Sequence, residues 1–232
     1  MDKPYRKIWA GLFVSAVMLA IVFGDGRIDH SITSLFYSPH TGTFPLRESK
    51  FVDVFLYRGM KLFMGGVFVA YLAWGLWALK TKRQGFTARH LWVAVAGTGI
   101  IIGLVNLIKS LTGVECPWST QPFGGQADAR SLVEAFTGLL SGNAGHGRCF
   151  PAGHATGGLF LFAWAVALRD SAPLAAKFTA GLGLILGLFM GLTRVTQGAH
   201  FLSHVLWSMW VAALIGVLLT LWLDSSKRRA LI

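Results

Sequence analysis

The sequence predicts an all-α, polytopic membrane protein with six transmembrane helices and two longer outer loops that carry short amphipathic helices. Hydrophobic residues make up 54% of the 232 residues and charged residues only 13%. A soluble domain carries roughly 25% charged residues. Long apolar runs recur along the whole chain, and the mean hydropathy is +0.57. These observations exclude a disordered tail, a coiled coil and an ordinary soluble enzyme, and they favour one membrane domain over residues 1–232.

The apolar residues fall into six segments. The first segment starts with basic residues, as a signal peptide does, but no good cleavage site follows it, so we interpret it as a retained helix. The fourth segment is short for a span of ~20 residues, and we expect it to begin inside the preceding Gly-rich loop. In chain order the segments are approximately Ile8–Gly24, Gly59–Leu79, Leu91–Ile108, Ala155–Leu168, Leu174–Leu192 and Phe201–Leu223.

The distribution of Lys and Arg predicts the orientation in the membrane. If the N-terminus is cytoplasmic, the inner side receives 12 of the 21 basic residues but only 3 of the 10 acidic ones. An excess of Lys and Arg on the cytoplasmic side is the usual arrangement of membrane proteins. We therefore expect both termini in the cytoplasm, and the net charge of +11 does not require a nucleic-acid partner.

Two outer loops, about Asp25–Arg58 and Lys109–Gly153, are long. The first ends in an apolar stretch, Phe51–Tyr57, that we expect to lie on the membrane surface. In the second, Ser131-Leu-Val-Glu134 is a capping box that predicts the start of a short amphipathic helix. Long loops usually carry function, so the outer face is where a site is expected.

Ionisable residues lie at the outer ends of four segments, where membrane segments normally avoid them. Lys and Arg bind phosphate by charge and donor geometry, and a helix that opens at Pro151-Ala-Gly-His154 adds free N–H groups. Histidine serves as nucleophile or general acid near neutral pH. Acidic metal ligands are few, so a metal-free and cofactor-free mechanism is favoured. The residues are Lys109, Arg148, His154, Arg194, His200 and His204.

Three motifs in this region resemble those of the type 2 phosphatidic acid phosphatases. Lys109-SLTGVE-Cys116-Pro117 matches Lys, six residues, Arg-Pro, with Cys in place of Arg. Pro151-Ala-Gly-His154 matches Pro-Ser-Gly-His, with Ala in place of Ser. Thr193-Arg-VTQGA-His-FLS-His204 matches Ser-Arg, five residues, His, three residues, Asp, with Thr and His at its two ends. The resemblance covers about Lys109–Leu223 and implies a six-helix membrane phosphatase.

The resemblance also implies roles for individual residues. His200 would attack phosphorus and form a phosphohistidine, and His154 would protonate the leaving oxygen. Lys109 and Arg194 would hold the phosphoryl oxygens, with the backbone N–H groups near Gly153 adding to them.

The departures from the family pattern raise two questions about the site. Cys116 cannot supply the missing guanidinium, and we predict that Arg148 replaces it, because Arg148 lies six residues before His154. The missing Asp normally orients the nucleophilic histidine. Either His204, one helical turn beyond His200, takes that role, or a loop acid does; the candidate acids are Glu115, Asp128 and Glu134.

The two cysteines, Cys116 and Cys149, each flank one motif, and both fall in the second outer loop. In a periplasm-like compartment they are expected to form a disulfide that ties the first motif to the second. The alternative is a pair of ordinary reduced cysteines.

These observations predict a lipid phosphatase of a bacterial inner membrane whose site faces the periplasm. Its partners would be membrane lipids and a lipid phosphate, with no obligate protein partner. Undecaprenyl pyrophosphate, lipid A phosphate, phosphatidylglycerol phosphate and phosphatidic acid are the candidate substrates. A lipid phosphotransferase that uses the same histidines, and a lipid-binding or transport protein on a degenerate scaffold, are the alternatives.

Overall fold

The computed structural model describes residues 3–83, 85–142 and 145–229, and this part of the chain is helical and contains no strand. The all-α prediction is therefore confirmed. Asp2, one of the charges that predict the orientation, lies outside the described residues. The helices are α1 (Lys3–Phe23), α2 (Arg27–Ser34), α3 (Val52–Lys80), α4 (Ala88–Leu111), α5 (Leu132–Leu140), α6 (Gly153–Leu168), α7 (Pro173–Thr196) and α8 (Leu202–Arg229).

Five of the described helices, α1, α3, α4, α7 and α8, are long and apolar enough to cross a membrane. The prediction of six spans is thus supported for five. The remaining segment, Ala155–Leu168, forms most of α6, an apolar helical stretch of fewer than 18 residues. As expected, α6 begins before that segment, at Gly153.

Helix α6 lies at the centre of the bundle, packed against α4, α7 and α8. Leu159, Leu161 and Trp164 are fully buried. A β-carbon on Gly158 would lie 2.2 Å from the backbone nitrogen of Gly187 in α7, so the two helices approach as closely as their backbones allow. Because α6 is sheathed by protein, its backbone does not depend on lipid contact or on a length that matches the bilayer.

Helix α3 begins earlier than the sequence predicts. Val52–Gly59 forms a π-helical segment that continues directly into Met60–Lys80. The stretch Phe51–Tyr57 is almost entirely part of this continuous helix, and its expected place on the membrane surface stays a prediction. Short π-helical insertions are frequent at functional sites.

The two long loops, which the sequence predicts on the outer side and which we continue to call the outer loops, cover one end of the bundle. Phe44, Phe123 and Phe201 form a small buried cluster there. Asp29 of α2 accepts hydrogen bonds from the backbone N–H of Ser203, at 2.9 Å, and from the Ser203 hydroxyl, and so caps the first turn of α8.

The second outer loop contains the predicted capping box. The Ser131 hydroxyl accepts from the Glu134 N–H at 3.2 Å, and the Glu134 carboxylate accepts from the Ser131 N–H at 2.7 Å. Helix α5 follows directly.

Candidate active site

A cavity of about 340 Å³ lies where the loop-covered ends of α3, α4, α6 and α7 meet the turn before α8. We call it the His154–His200 cavity. Five of the predicted site residues line it, from four separate elements of the chain; they are Lys109, Gly153, His154, Arg194 and His200.

His200 is presented by a tight turn between α7 and α8. The N–H groups of Ala199 and His200 donate to the Arg194 carbonyl, at 2.9 and 3.3 Å. Gly198 has φ +68°, and a β-carbon there would lie 2.4 Å from the Phe44 ring, so only glycine fits this turn. The His200 side chain is 4% exposed, and its Nδ1 atom has no hydrogen-bond partner among the described residues.

The surroundings of His200 favour a neutral imidazole. Burial, together with the nearby His204 and the charges of Lys109 and Arg194, holds the pKa of His200 well below its usual range. A hydrogen bond with the Cys149 backbone raises the pKa of His200, but it is weaker than the effects that lower this pKa. A neutral ring keeps a nitrogen lone pair available, as a nucleophile requires.

His154 lies at the start of α6 and is 8% exposed. Its ring nitrogens are buried, the Leu56 backbone lies beside the imidazole, and its ring centroid lies 4.9 Å from that of Tyr57. Next to it, a β-carbon on Gly153 would lie 3.9 Å from Lys109 Nζ. The lysine ammonium and the start of α6 therefore lie side by side in the cavity.

Arg194 also lines the cavity, near the end of α7. Its guanidinium donates to Gln197 Oε1 at 2.5 Å and lies 4.4 Å from the centroid of the Tyr57 ring. These contacts hold the guanidinium in place without neutralising its charge, which leaves it available to an anion.

His204 does not line this cavity. Its ring, 1% exposed, lies between Phe150 and Phe201, each with its centroid 5.3 Å away, and 5.9 Å from the His200 ring. The same ring borders a second cavity of about 380 Å³, the acid-lined cavity, together with Asp25, Asp29 and Glu134. The orienting role of His204 stays a prediction.

None of the three loop acids that were candidates for orienting His200 lines the His154–His200 cavity. Glu115 accepts from the Ser119 hydroxyl at 3.5 Å, and Asp128 accepts from the Gln121 amide at 3.2 Å. Glu134 borders the acid-lined cavity, but its carboxylate is engaged in the capping box.

Cys116 and Cys149 form a disulfide, with their Cα atoms 5.1 Å apart. The Cys149 N–H also donates to the Val114 carbonyl at 2.9 Å, so the loop after α4 is tied to the loop before α6. Arg148, next to the disulfide, is exposed and does not line the cavity, although its charge acts on Lys109. Its role as the replacement cation stays a prediction.

The sequence argument missed six further residues that line the cavity, namely Tyr57, Lys61, Asn106, Thr156, Gly157 and Met190. For Lys61 a signal existed, because an ionisable residue inside an apolar segment is what drew attention to Lys109. Tyr57 had no such signal, since it was placed in a stretch expected on the membrane surface. Within the described residues, no group of three or more His, Cys, Asp or Glu side chains could hold a metal ion.

A family model described as the PAP2 superfamily matches residues 87–228. The chain belongs to this superfamily. The matched range contains all three motifs and leaves α1, α2 and α3 outside it. Members of the PAP2 superfamily are phosphatases, which supports a phosphoesterase activity for this chain. Comparisons with curated proteins and with solved structures gave no match.

Proposed function

We propose that this PAP2 protein is a periplasm-facing lipid phosphatase that hydrolyses a phosphate or pyrophosphate group through a phosphohistidine intermediate. The observation that carries the proposal is the His154–His200 cavity, in which two buried imidazoles and two cations converge at one end of apolar helices. A cavity at one end of membrane-crossing helices is suited to the headgroup of a lipid whose chains remain in the bilayer.

The chemistry would take place in two steps. One nitrogen of neutral His200 attacks phosphorus, and the bond from phosphorus to the leaving oxygen breaks. His154, protonated once the bound phosphate offsets its burial and the nearby charges of Lys61 and Arg194, gives that oxygen a proton. Water then attacks the phosphohistidine while His154 takes back a proton. Inorganic phosphate leaves, and His200 is again neutral.

Lys109 and Arg194 would carry the electrostatic part of catalysis. Both line the cavity, and neither makes an ion pair with Asp or Glu among the described residues. The Asp53 charge acts on Arg194 from outside the cavity lining, but both cations would face the phosphoryl oxygens as net positive charges. The N–H groups at the start of α6 would add donors beside Lys109.

The test is phosphate release in detergent without added metal. The substrates would be undecaprenyl pyrophosphate, lipid A phosphate, phosphatidylglycerol phosphate and phosphatidic acid. We expect His200→Ala to lose at least about 10³-fold in kcat and His154→Ala about 10²- to 10⁴-fold. His146→Ala, at an exposed position of the second outer loop, serves as control and should retain full activity.

A labelled phosphoryl group provides a direct readout of the intermediate. Protein mixed with ³²P-labelled lipid and quenched in alkali should retain label in the wild type and none in His200→Ala. Label that moves to an added acceptor lipid instead of water would show a phosphotransferase. Wild type that neither releases phosphate nor takes up label would overturn the proposal and favour a lipid-binding or transport role.

A further inference from the structure

Lys61 places a third cation on the His154–His200 cavity, from a helix outside the family match. It lies in the first α-helical turn of α3 after the π-helical segment. Its ammonium donates to the Tyr57 hydroxyl at 2.7 Å and lies 4.0 Å from the centroid of the Tyr57 ring. The side chain is therefore held toward the cavity by its own helix.

Tyr57 connects this lysine to the rest of the site. Its ring contacts the Arg194 guanidinium, 4.4 Å from the centroid, and the His154 ring, 4.9 Å away between centroids. Cations stack on the electron-rich faces of aromatic rings, so one tyrosine can hold both Lys61 and Arg194 without cancelling their charges.

The charge distribution shows that the cavity is built for an anion. Lys61 makes no ion pair with Asp or Glu within the described part of the chain. No carboxylate of the described residues lines the cavity, and the positive charge of Lys61 acts on both Lys109 and His154. Uncompensated like charges repel one another, and binding an anion between them removes that repulsion.

The first motif, Lys109–Pro117, lacks one cation of the family pattern. Cys116 stands where the family pattern has an arginine, and its sulfur is committed to the disulfide. Lys61 and the alternative cation, Arg148, are both exposed, but Arg148 lies outside the cavity lining. Of the two, Lys61 is the one that faces the cavity.

We propose that Lys61 is the third phosphate-binding cation of this protein, that it replaces the motif arginine, and that Tyr57 positions it. This inference rests on the proposed function for its catalytic consequence. It also means that the site is incomplete without α3. Lysine binds phosphate as a point charge, whereas arginine binds it with two donors, so the position should accept Arg in part and neutral residues poorly.

The first experiment compares steady-state kinetics of Lys61 variants with a matched control. Lys61→Ala and Lys61→Gln should lower kcat/KM about 10- to 100-fold, as loss of a charge-assisted hydrogen bond does, and Lys61→Arg should restore part of it. Arg58→Ala removes a cation one turn earlier that pairs with Asp53 at 2.9 Å and does not line the cavity. It should leave kcat/KM unchanged.

Orthovanadate, a phosphate mimic, tests binding separately from turnover. Its inhibition constant should rise in Lys61→Ala by a factor similar to the loss in kcat/KM, and not in Arg58→Ala. Tyr57→Phe, which keeps the ring and loses the hydroxyl, should show a smaller effect than Tyr57→Ala. Gel-filtration profiles and melting temperatures that match those of Arg58→Ala exclude misfolding as the cause.

The outcomes separate this inference from the proposed function. An active wild type whose Lys61→Ala variant matches Arg58→Ala in both kcat/KM and vanadate inhibition overturns the role of Lys61. If the wild type is inactive on every lipid, radiolabelled inorganic phosphate binding to wild type and Lys61→Ala decides. Binding lost only in Lys61→Ala keeps Lys61 as an anion ligand, and equal binding overturns it.

Discussion

Burial acts on two ionisable side chains of the outer end in ways that can be measured. His200 and Asp29 both lie outside the membrane-spanning segments and are less than a twentieth exposed. Desolvation disfavours the charged form of each, so the pKa of the imidazole falls and that of the carboxyl rises. Burial therefore keeps the His200 imidazole neutral down to a lower pH and keeps the Asp29 carboxyl neutral up to a higher pH.

His200 sets the first prediction. Because its pKa lies well below the ordinary value of about 6.5, the neutral nucleophile persists at mildly acidic pH. We expect kcat/KM to decline at acid pH with an apparent pKa below 6.5. The ionisation of the substrate phosphate, measured by ³¹P NMR in the same micelles, is first divided out of this profile. An acid limb centred at or above pH 6.5 would show that His200 is solvated, against this structure.

Asp29 sets the second prediction. Burial raises its pKa from 3.8 to about 6, although the hydrogen bonds from Ser203 act in the opposite direction. A carboxyl whose folded pKa is raised contributes stability that is full below pH 3.8 and is lost as pH rises through about 6. The melting temperature of wild type should therefore decline between pH 4 and 6 relative to Asp29→Asn.

The asparagine variant retains an oxygen that can accept from the Ser203 N–H, so its cap on α8 survives. Asp25→Asn, at an exposed position in the same region, is the control and should follow the wild type. A wild-type melting curve that runs parallel to that of Asp29→Asn over this pH range would contradict the burial of Asp29.

At the scale of elements, the turn between α7 and α8 determines where His200 lies. Gly198 combines a left-handed φ of +68° with a Phe44 ring that leaves no room for a β-carbon. The carbonyl of Gly198 also accepts from the Trp118 N–H at 2.9 Å, which attaches the second outer loop to the turn. A change here should move the imidazole without touching any charged group.

Gly198→Ala is the third prediction. A non-glycine residue at positive φ costs about 1–2 kcal/mol, and the clash with Phe44 adds to this. We expect a lower melting temperature and a loss of phosphate release larger than the loss of folded protein. Gly216→Ala is the matched control, because a β-carbon there meets nothing within 4 Å; it should be neutral or stabilising. Equal behaviour of the two variants would contradict the turn geometry.

For the whole molecule, the disulfide is the covalent connection between the first two motifs. Cys116 and Cys149 are 33 residues apart, and their bond closes a loop that contains α5. The end of α4, which carries Lys109, is further tied to the entry of α6 by the Thr112 hydroxyl, which donates to the Phe150 carbonyl at 2.9 Å.

Loss of the disulfide is the fourth prediction. Closing a loop of this length stabilises a fold by roughly 3–4 kcal/mol, so a reductant should lower the melting temperature of wild type. The Cys116→Ser/Cys149→Ser variant should melt at that lower temperature with or without reductant. Its kcat/KM should also fall, because the loop that follows Lys109 is no longer covalently linked to the loop that precedes His154. A wild type unaffected by reductant would argue that the bridge contributes nothing.

Several features could be predicted from the sequence because they depend on local or compositional signals. Long apolar runs predict helices that cross a membrane, and five of the described helices meet that description. Three motifs in order predict the family and bring Lys109, His154, Arg194 and His200 to one cavity. The capping box at Ser131 needs only four consecutive residues, and it is present.

Other features depend on contacts between distant parts of the chain, and only the tertiary structure decided them. Packing placed α6 at the centre of the bundle, where a short helix suffices, and gave α3 a π-helical segment that puts Tyr57 and Lys61 on the cavity. It also buried His204 away from that cavity and left Arg148 on the surface. Motif spacing gives the separation of residues along the chain. Which cation takes the place of the missing motif arginine depends instead on how separate helices pack.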